Sequence, residues 1–522
     1  MTGMKDVQKK KDKAEVRLRG KPRPESVQDH IAIILAALAA ALLLGGGGGV
    51  QHFIGSFFLT GLLFFIVYRD ILRYKPHYFH KRRMLLLLVL MILVTLGVGK
   101  LAEVALEGMV RGFEFMVGDT VRYGIPISSG AMLIMLLFDF HTAIVSSVIF
   151  ALLAGLWQGD PSYTVYVFVS CLTAAFTIIG CRKRTAILRS GMYVFIANAI
   201  GVVTIMLFKE SLLTPEATYA IVFAFISAVI VVAIVSLLLP VLEKVFKVTT
   251  DISLLELLDL DHPLMKNLMI EAPGTYHHSI IVGNLVEACS EFVGVNPLLA
   301  RVGAYYHDIG KSKMPEYFVE NKSMGASKHE KLTPHMSAIV LISHVKEGVE
   351  LARQHNLPEE VVDVVEQHHG DTLIKYFYDK AREAKDGEDL SEDVYRYPGP
   401  KPQTRTTALI MMADAVEASS RVLYDPTPAR ISALVDKIIN HIFLAGQLEE
   451  CELTLKDISE IKARFTFILN GILHKRIEYP GFDFNEKGAG RAGEGKQQTG
   501  KEKTRSFEDQ DRLPHNPYVS GR

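Results

Sequence analysis

The sequence predicts an all-α protein in two parts, a polytopic transmembrane helical bundle followed by an all-helical soluble domain. Three observations carry that expectation. Hydrophobic residues make up 49% of the 522 residues, and the long apolar runs are confined to about the first 240. Several of those runs approach the roughly 20 residues a helix needs to cross the hydrocarbon core. Beyond them the apolar residues recur with helical spacing, strand-like alternation is scarce, and Pro and Gly mark the turns.

The chain divides by composition into a basic N-terminal segment (1–29), a first transmembrane helix ending in polyglycine (30–50), a seven-helix transmembrane domain (51–241), a soluble domain (242–483) and a disordered, Gly-, Lys-, Glu- and Gln-rich tail (484–522). The apolar stretches fall at about 31–50, 53–68, 84–106, 124–139, 141–157, 161–180, 191–208 and 217–241. Such a series leaves almost no polar face for water, which excludes the core helices of a large soluble protein. Basic residues orient it. Lys9, Lys10, Lys11, Lys13, Arg17, Arg19, Lys21 and Arg23 precede the first span; Arg69, Arg73, Lys75, Lys81, Arg82 and Arg83 follow the second; Arg182, Lys183, Arg184 and Arg189 follow the sixth. Eight crossings put all three groups, and both chain ends, in the cytoplasm. No small-residue cleavage site follows the first apolar run, so no cleaved signal peptide is expected.

Five consecutive glycines, Gly45–Gly49, finish a helix poorly, at up to about 1 kcal/mol each relative to alanine. They read either as a loosely packed helix end or as a join where an external domain is absent. Glu103, Asp139 and Asn198 are the few polar candidates within the spans, too few for a transport path, and Asp139 and His141 fall in a short turn. The formal net charge is zero, which gives no reason to expect a nucleic-acid polymer as partner. Cys171, Cys181, Cys289 and Cys451 lack the spacing of a disulfide framework or a thiolate zinc site.

After Pro240, Asp251 is a candidate N-cap for an amphipathic coupling helix through Leu254, Leu255, Leu257 and Leu258. Histidine then carries the information: ten of the 18 lie between His262 and His369. An ordered set runs His278, His307-Asp308, His344, His368-His369 and Asp414. His278 shares a helix face with Ile281, Val282, Leu285 and Cys289 and points into the core. His307-Asp308 and His368-His369 each close a helix, with Gly310 and Gly370 as terminators. Neighbours at a helix end can both turn toward one point beyond it, whereas mid-helix neighbours about 100° apart cannot. His344 lies in the run after Pro334, and Asp414 in TALIMMADAVEASSR. His262, His277, His329, His335 and His355 read as surface, core or supporting residues.

Imidazole and carboxylate without thiolate suit manganese, iron or zinc. Five histidines and two aspartates exceed what one ion takes from protein, so two divalent ions bridged by a carboxylate are indicated. Ions roughly 3.5–4 Å apart can activate water and clamp phosphoryl oxygens. Lys311, three residues after Asp308, can stabilise charge developing on a phosphate.

At these residues the chain resembles the HD-domain metal-dependent phosphohydrolases. The strings APGTYHHS (272–279), YYHDIGK (305–311), ISHVKEGVELA (342–352), HHG (368–370), YRYPGPKPQ (395–403) and MMADAVEASSR (411–421) narrow the resemblance to the seven-transmembrane HD family of cyclic-di-AMP phosphodiesterases, over roughly 50–480. The resemblance implies hydrolysis of cyclic di-AMP to pApA with two manganese or iron ions, at the inner membrane of a bacterium. It implies His278, His307, Asp308 and Asp414 on one metal, His344, His368 and His369 on the other, and Asp308 as the bridge; catalysis falls to Asp308 and Lys311. It also implies that the membrane half signals to the soluble domain through 243–262, with a simple anchor as the alternative.

The family places a large extracellular domain after the first span, and here Gly45–Gly49 stands in its place, which puts external sensing by that route in doubt. No Gly-Tyr-Pro follows His369, which argues against the HD-GYP class and against cyclic di-GMP as first choice. Cyclic di-GMP or another nucleotide remains the alternative substrate. A non-catalytic nucleotide-binding receptor is the alternative of another class, one that has no need for all seven ligands. The expected partners are the cyclic dinucleotide and the lipid bilayer; self-association into a homo-oligomer stays open at this level.

Overall fold

The computed structural model describes residues 27–44, 49–74, 82–112, 118–181, 183–322, 327–384 and 390–473. The basic N-terminal cluster, Gly45–Gly48, Lys75, Lys81, Arg182 and the tail from 484 lie outside the described residues.

Each apolar stretch of the first half forms a helix: α1 (Val27–Leu44), α2 (Val50–Tyr74), α3 (Arg82–Gly112), α4 (Ser128–Leu137) behind a 3-10 helix at Gly118–Gly124, α5 (Phe140–Gln158), α6 (Pro161–Thr177), α7 (Thr185–Phe208) and α8 (Pro215–Phe246). Among the described residues six segments are long and apolar enough to cross a membrane: Val50–Tyr74, Met84–Gly112, Asp119–Leu137, Phe140–Gln158, Thr185–Phe208 and Pro215–Phe246. α6, with 17 residues, and the apolar stretch His30–Leu44 of α1 are shorter. The described part of the first helix runs to Leu44. All eight helices share one core, to which α1 contributes Ala36, Ala37, Ala40 and Leu44, and α6 Tyr163, Tyr166 and Cys171. Apolar side chains also face outward: Phe58, Leu62, Leu101, Val165, Leu188, Ile200 and Leu237 are each more than half exposed. A bundle apolar inside and out is built for lipid.

Of the polar residues noted within the spans, Asn198 is buried in the middle of α7, and the other two lie toward helix ends. Asp139 caps α5, its side chain accepting from the backbone N–H of Thr142 at 3.1 Å. His141 lies in the first turn of that helix, 3.6 Å from Asp70. Glu103, in the last part of α3, bonds to Lys100 and Gln158.

The soluble half contains α9 (Asp251–Leu257), α10 (Pro263–Glu271), α11 (Pro273–Ser290), α12 (Pro297–Tyr306), α13 (Pro334–Gln354), α14 (Glu359–Gln367), α15 (Lys375–Ala384), α16 (Arg405–Ser420), α17 (Pro428–Leu444) and α18 (Leu455–Ile472). Among the described residues the only β pairing is an isolated bridge, Leu373 to Arg396. One starting device recurs: Asn296-Pro297, Thr333-Pro334 and Thr427-Pro428 each place a capping side chain before a proline whose missing N–H the first turn does not need. The cap of α9 is Thr250 rather than Asp251. Its hydroxyl accepts from Ser253 N–H while Ser253 Oγ accepts from Thr250 N–H, and Asp251 is the first helical residue.

α11, α12, α16, α17 and α18 pack around Val286, Leu409, Met412, Val435 and Phe465. α9, α10, α12 and α14 close a second cluster on Tyr306, Met265 and Val361. Two links tie the halves together. Arg184, before α7, grips Glu256 of α9 with Nε at 2.6 Å and Nη2 at 3.1 Å. Past the end of α8, Lys247 pairs with Glu359 at 3.1 Å and Thr249 donates to Glu360 at 2.5 Å, so the last membrane helix abuts the start of α14.

Candidate metal centre

Five segments deliver the seven residues singled out from the sequence to one place. α11 brings His278, the end of α12 brings His307 and Asp308, α13 brings His344, the end of α14 brings His368 and His369, and α16 brings Asp414. They form two groups of side-chain ligand atoms, each within 4.8 Å, that can hold a metal ion: Asp308, His344, His368 and His369 in one, His278, His307, Asp308 and Asp414 in the other. Asp308 belongs to both. Its Oδ1 lies 3.3 Å from His344 Nε2 and 3.6 Å from His368 Nε2, while Oδ2 lies 3.2 Å from His307 Nε2 and 3.9 Å from His278 Nε2.

Local helix geometry sets which nitrogen faces inward. His307, His344 and His368 each direct Nδ1 to the carbonyl three residues back, on Ala304 at 2.7 Å, Leu341 at 2.5 Å and Val365 at 2.9 Å. Carbonyls only accept, so Nδ1 carries the proton and Nε2 keeps its lone pair. His278 turns Nδ1 onto the Glu417 carboxylate and holds Nε2 3.0 Å from Asp414 Oδ1. Two consequences are a poor apoprotein and a good ligand set. The Nε2 atoms of His344 and His368 face each other at 3.4 Å with no proton to share. His307 Nε2 and Asp308 Oδ1 are buried without a hydrogen-bond partner, and Asp308 Oδ2 meets only the Lys311 ammonium as an ion pair. Orphaned acceptors at this density fit divalent cations.

The electrostatics of the carboxylates and of His368 and His369 agree, while His278 is held as a cation until a metal displaces its proton. Burial would raise the Asp308 carboxyl, but Lys311 and His307 beside it hold it well below the usual carboxylate range. Burial likewise opposes ionisation of Asp414, and the bond from His278 outweighs it. His278 itself is disfavoured as a cation by burial yet is raised to about 10 by Asp414 and Glu417. Burial pushes His368 down and His369 well down, so both stay neutral.

Gly370 terminates α14 in the left-handed region, at φ 55°, as the sequence suggests. Gly310 does not terminate α12. It sits inside a 3-10 helix, Ile309–Lys313, where a Cβ would come 1.9 Å from the carbonyl oxygen of His344 and 2.6 Å from the backbone nitrogen of Gly348. Its smallness lets the Asp308 turn press onto α13. Lys311 reaches the centre, with Nζ 2.6 Å from Asp308 and 3.0 Å from Glu320, and is 12% exposed.

Three neighbours went unassigned in the sequence. Glu417 lies one turn beyond Asp414 on α16, a spacing that was legible. Tyr397, within YRYPGPKPQ, stacks on His369 with ring centres 4.2 Å apart. Glu320 comes from a run of short 3-10 turns that has no periodicity to read. Of the histidines given a bland reading, His277 is exposed and His262 caps α10 by accepting from Leu264 N–H.

A family described as a 7TM receptor with intracellular HD hydrolase matches residues 50–250, and the HD domain matches 275–419. The chain is 37% identical over 439 residues to the cyclic-di-AMP phosphodiesterase PgpH of Bacillus subtilis, covering 82% of this chain and 59% of that protein. It is 39% identical over 368 residues to the PgpH of Listeria monocytogenes, covering 69% of this chain and 50% of that one. The chain thus spans half to three-fifths of the length of these curated relatives. A crystal structure of the L. monocytogenes PgpH HD domain in complex with cyclic-di-AMP is 48% identical, with a TM-score of 0.40, covering 42% of this chain and all of that one.

Proposed function

This chain belongs to the seven-transmembrane HD family, and from that premise we propose that it is a multi-pass phosphodiesterase that hydrolyses cyclic di-AMP to pApA. Its soluble half would face the cytoplasm of a bacterium, as the basic loops favour. The observation that carries the reading is the pair of ligand groups sharing Asp308.

In this reading His278, His307, Asp308 and Asp414 would hold one divalent ion of the manganese or iron type, and His344, His368, His369 and the shared Asp308 would hold the second. Bound there, the ions supply Lewis acidity toward a phosphodiester. The chain's own work is positional and electrostatic. Backbone carbonyls fix the ring planes of His307, His344 and His368, so ligand geometry is set before anything binds. Tyr397 covers one face of His369 and restrains its rotation. Lys311, mostly buried and tied to Asp308 and Glu320, places a cation where negative charge grows on the phosphoryl group.

The test is the full chain in lipid nanodiscs with manganese and cyclic di-AMP, its products separated by chromatography. The expected product is pApA, its formation stopped by chelation and restored by added metal. Turnover of cyclic di-GMP in preference to cyclic di-AMP, or metal-loaded protein with no turnover, would defeat the assignment.

Glu417 offers a narrower test. Glu417→Gln keeps the shape beside His278 Nδ1 and removes the charge. A partner of this kind tunes metal affinity by about 10–100-fold, so metal titration should show a loss on that scale with little change in folding. Unaltered affinity would reduce Glu417 to a packing role.

A further inference from the structure

The short 3-10 turns between Pro315 and Asn321 are seated on the first turn of α11. Thr275 and Asn321 bond reciprocally: Thr275 N–H donates to Asn321 Oδ1 at 3.0 Å, and Asn321 Nδ2 donates to Thr275 Oγ1 at 2.9 Å. The Thr275 hydroxyl in turn donates to Glu320 Oε1 at 3.1 Å. A Cβ on Gly274 would fall 1.9 Å from the carbonyl oxygen of Glu320, so glycine is what lets the two backbones come this close. Thr275 is fully buried and precedes His278 by three residues, a spacing that puts both on one side of the helix. The carboxylate of Glu320 is thereby fixed against the helix that carries a metal ligand.

The group it faces is the ammonium of Lys311. Nζ lies 3.0 Å from Glu320 Oε1 and 2.6 Å from Asp308 Oδ2, and Phe318, from the same turns, sets its ring centre 5.1 Å away. The side chains of Lys311 and Glu320 are both mostly buried, so neither charge can turn to water instead. The two carboxylates differ in what else is asked of them. Asp308 Oδ2 also lies 3.2 Å from His307 Nε2, within a metal-ligand group, and a divalent ion and an ammonium on one oxygen repel each other. Glu320 belongs to neither ligand group. It can keep the ammonium when Asp308 cannot.

We propose that Glu320 is a positioning residue of the metal centre: seated by Gly274, Thr275 and Asn321, it draws Lys311 off Asp308, freeing that carboxylate for the metals and leaving the ammonium beside the phosphodiester. No new geometry is needed, because Lys311 already touches both acids and has only to give up one. The proposal deepens the metal-centre reading and rests on it.

The test is calorimetric titration of manganese into the metal-stripped full chain in lipid nanodiscs, comparing wild type, Glu320→Gln, Lys311→Met and the double variant. Glu320→Gln keeps the shape and an acceptor for Thr275 but removes the charge, and should weaken metal binding by about tenfold or more. In the Lys311→Met background the same substitution should cost nothing, since no ammonium is left to draw away. A loss of equal size in both backgrounds would make Glu320 a direct electrostatic partner of the ions. No loss in either would make it only a seat for the turns. Each of these results overturns the proposal. A wild type that takes up no metal overturns the centre and this inference together, whereas uptake without turnover would sink the phosphodiesterase reading while the variants still decide this one.

Discussion

Asp308→Ala is expected to empty both metal positions and to lower turnover by at least about a thousandfold, the scale on which a member of an interdependent catalytic set acts. The reason lies in its two oxygens. Oδ1 serves the His344–His368 side and Oδ2 the His307–His278 side, so a single truncation removes a ligand from both groups. It also strands Lys311, whose ammonium would keep only Glu320. The measurement is metal content by elemental analysis together with turnover on the same sample. Asp414→Ala, which touches one group, should leave the metal on the His344 side largely in place. Full metal occupancy in Asp308→Ala, or equal losses in the two variants, would contradict a shared bridge.

Gly310→Ala is expected to be among the most damaging single-methyl changes in the soluble half. The new Cβ would meet backbone on two sides, the His344 carbonyl at 1.9 Å and the Gly348 nitrogen at 2.6 Å, and neither can rotate away. Overpacking against backbone belongs at the upper end of such costs, about 3 kcal/mol. Relief requires the 3-10 helix and α13 to part, which separates Asp308 from His344, so lost stability and weakened metal binding should appear together. Gly348→Ala is the control. Its nearest heavy atom is a methyl of Val365 at 2.8 Å, a side chain able to shift, and its cost should be nearer 1 kcal/mol. Chemical unfolding of the three proteins side by side decides it; equal stability of Gly310→Ala and wild type would show that the contact carries no load.

The sequence made some of this legible and hid the rest, for identifiable reasons. Long apolar runs place the membrane helices because lipid demands a signature that nothing else imitates. The His-Asp set can be read because its members sit at helix ends announced by Pro and Gly, where two adjacent residues can face one point. The place of Asp308 in both ligand groups, which only the resemblance named, depends on how closely the following turn presses onto α13. That approach is governed by Gly310, which periodicity alone reads as a helix stop. Thr250 displaces Asp251 as cap because both are good caps and only backbone geometry chooses between them. Glu103 reads as an isolated charge in a span because Gln158, its partner, is 55 residues away. Glu320 is invisible to any periodic argument.

α14 has a consequence for how the two halves live together. Its nine residues cover about 14 Å at helical rise. One end is fastened to the tail of the last membrane helix through Lys247–Glu359 and Thr249–Glu360, and the other ends on His368 and His369. Catalytic constellations tolerate displacements of only about 0.5 Å, and a rigid rod passes displacement on undiminished. The end of the last membrane helix and two of the imidazoles are thus separated by a single short helix, the length of which sets the distance between them.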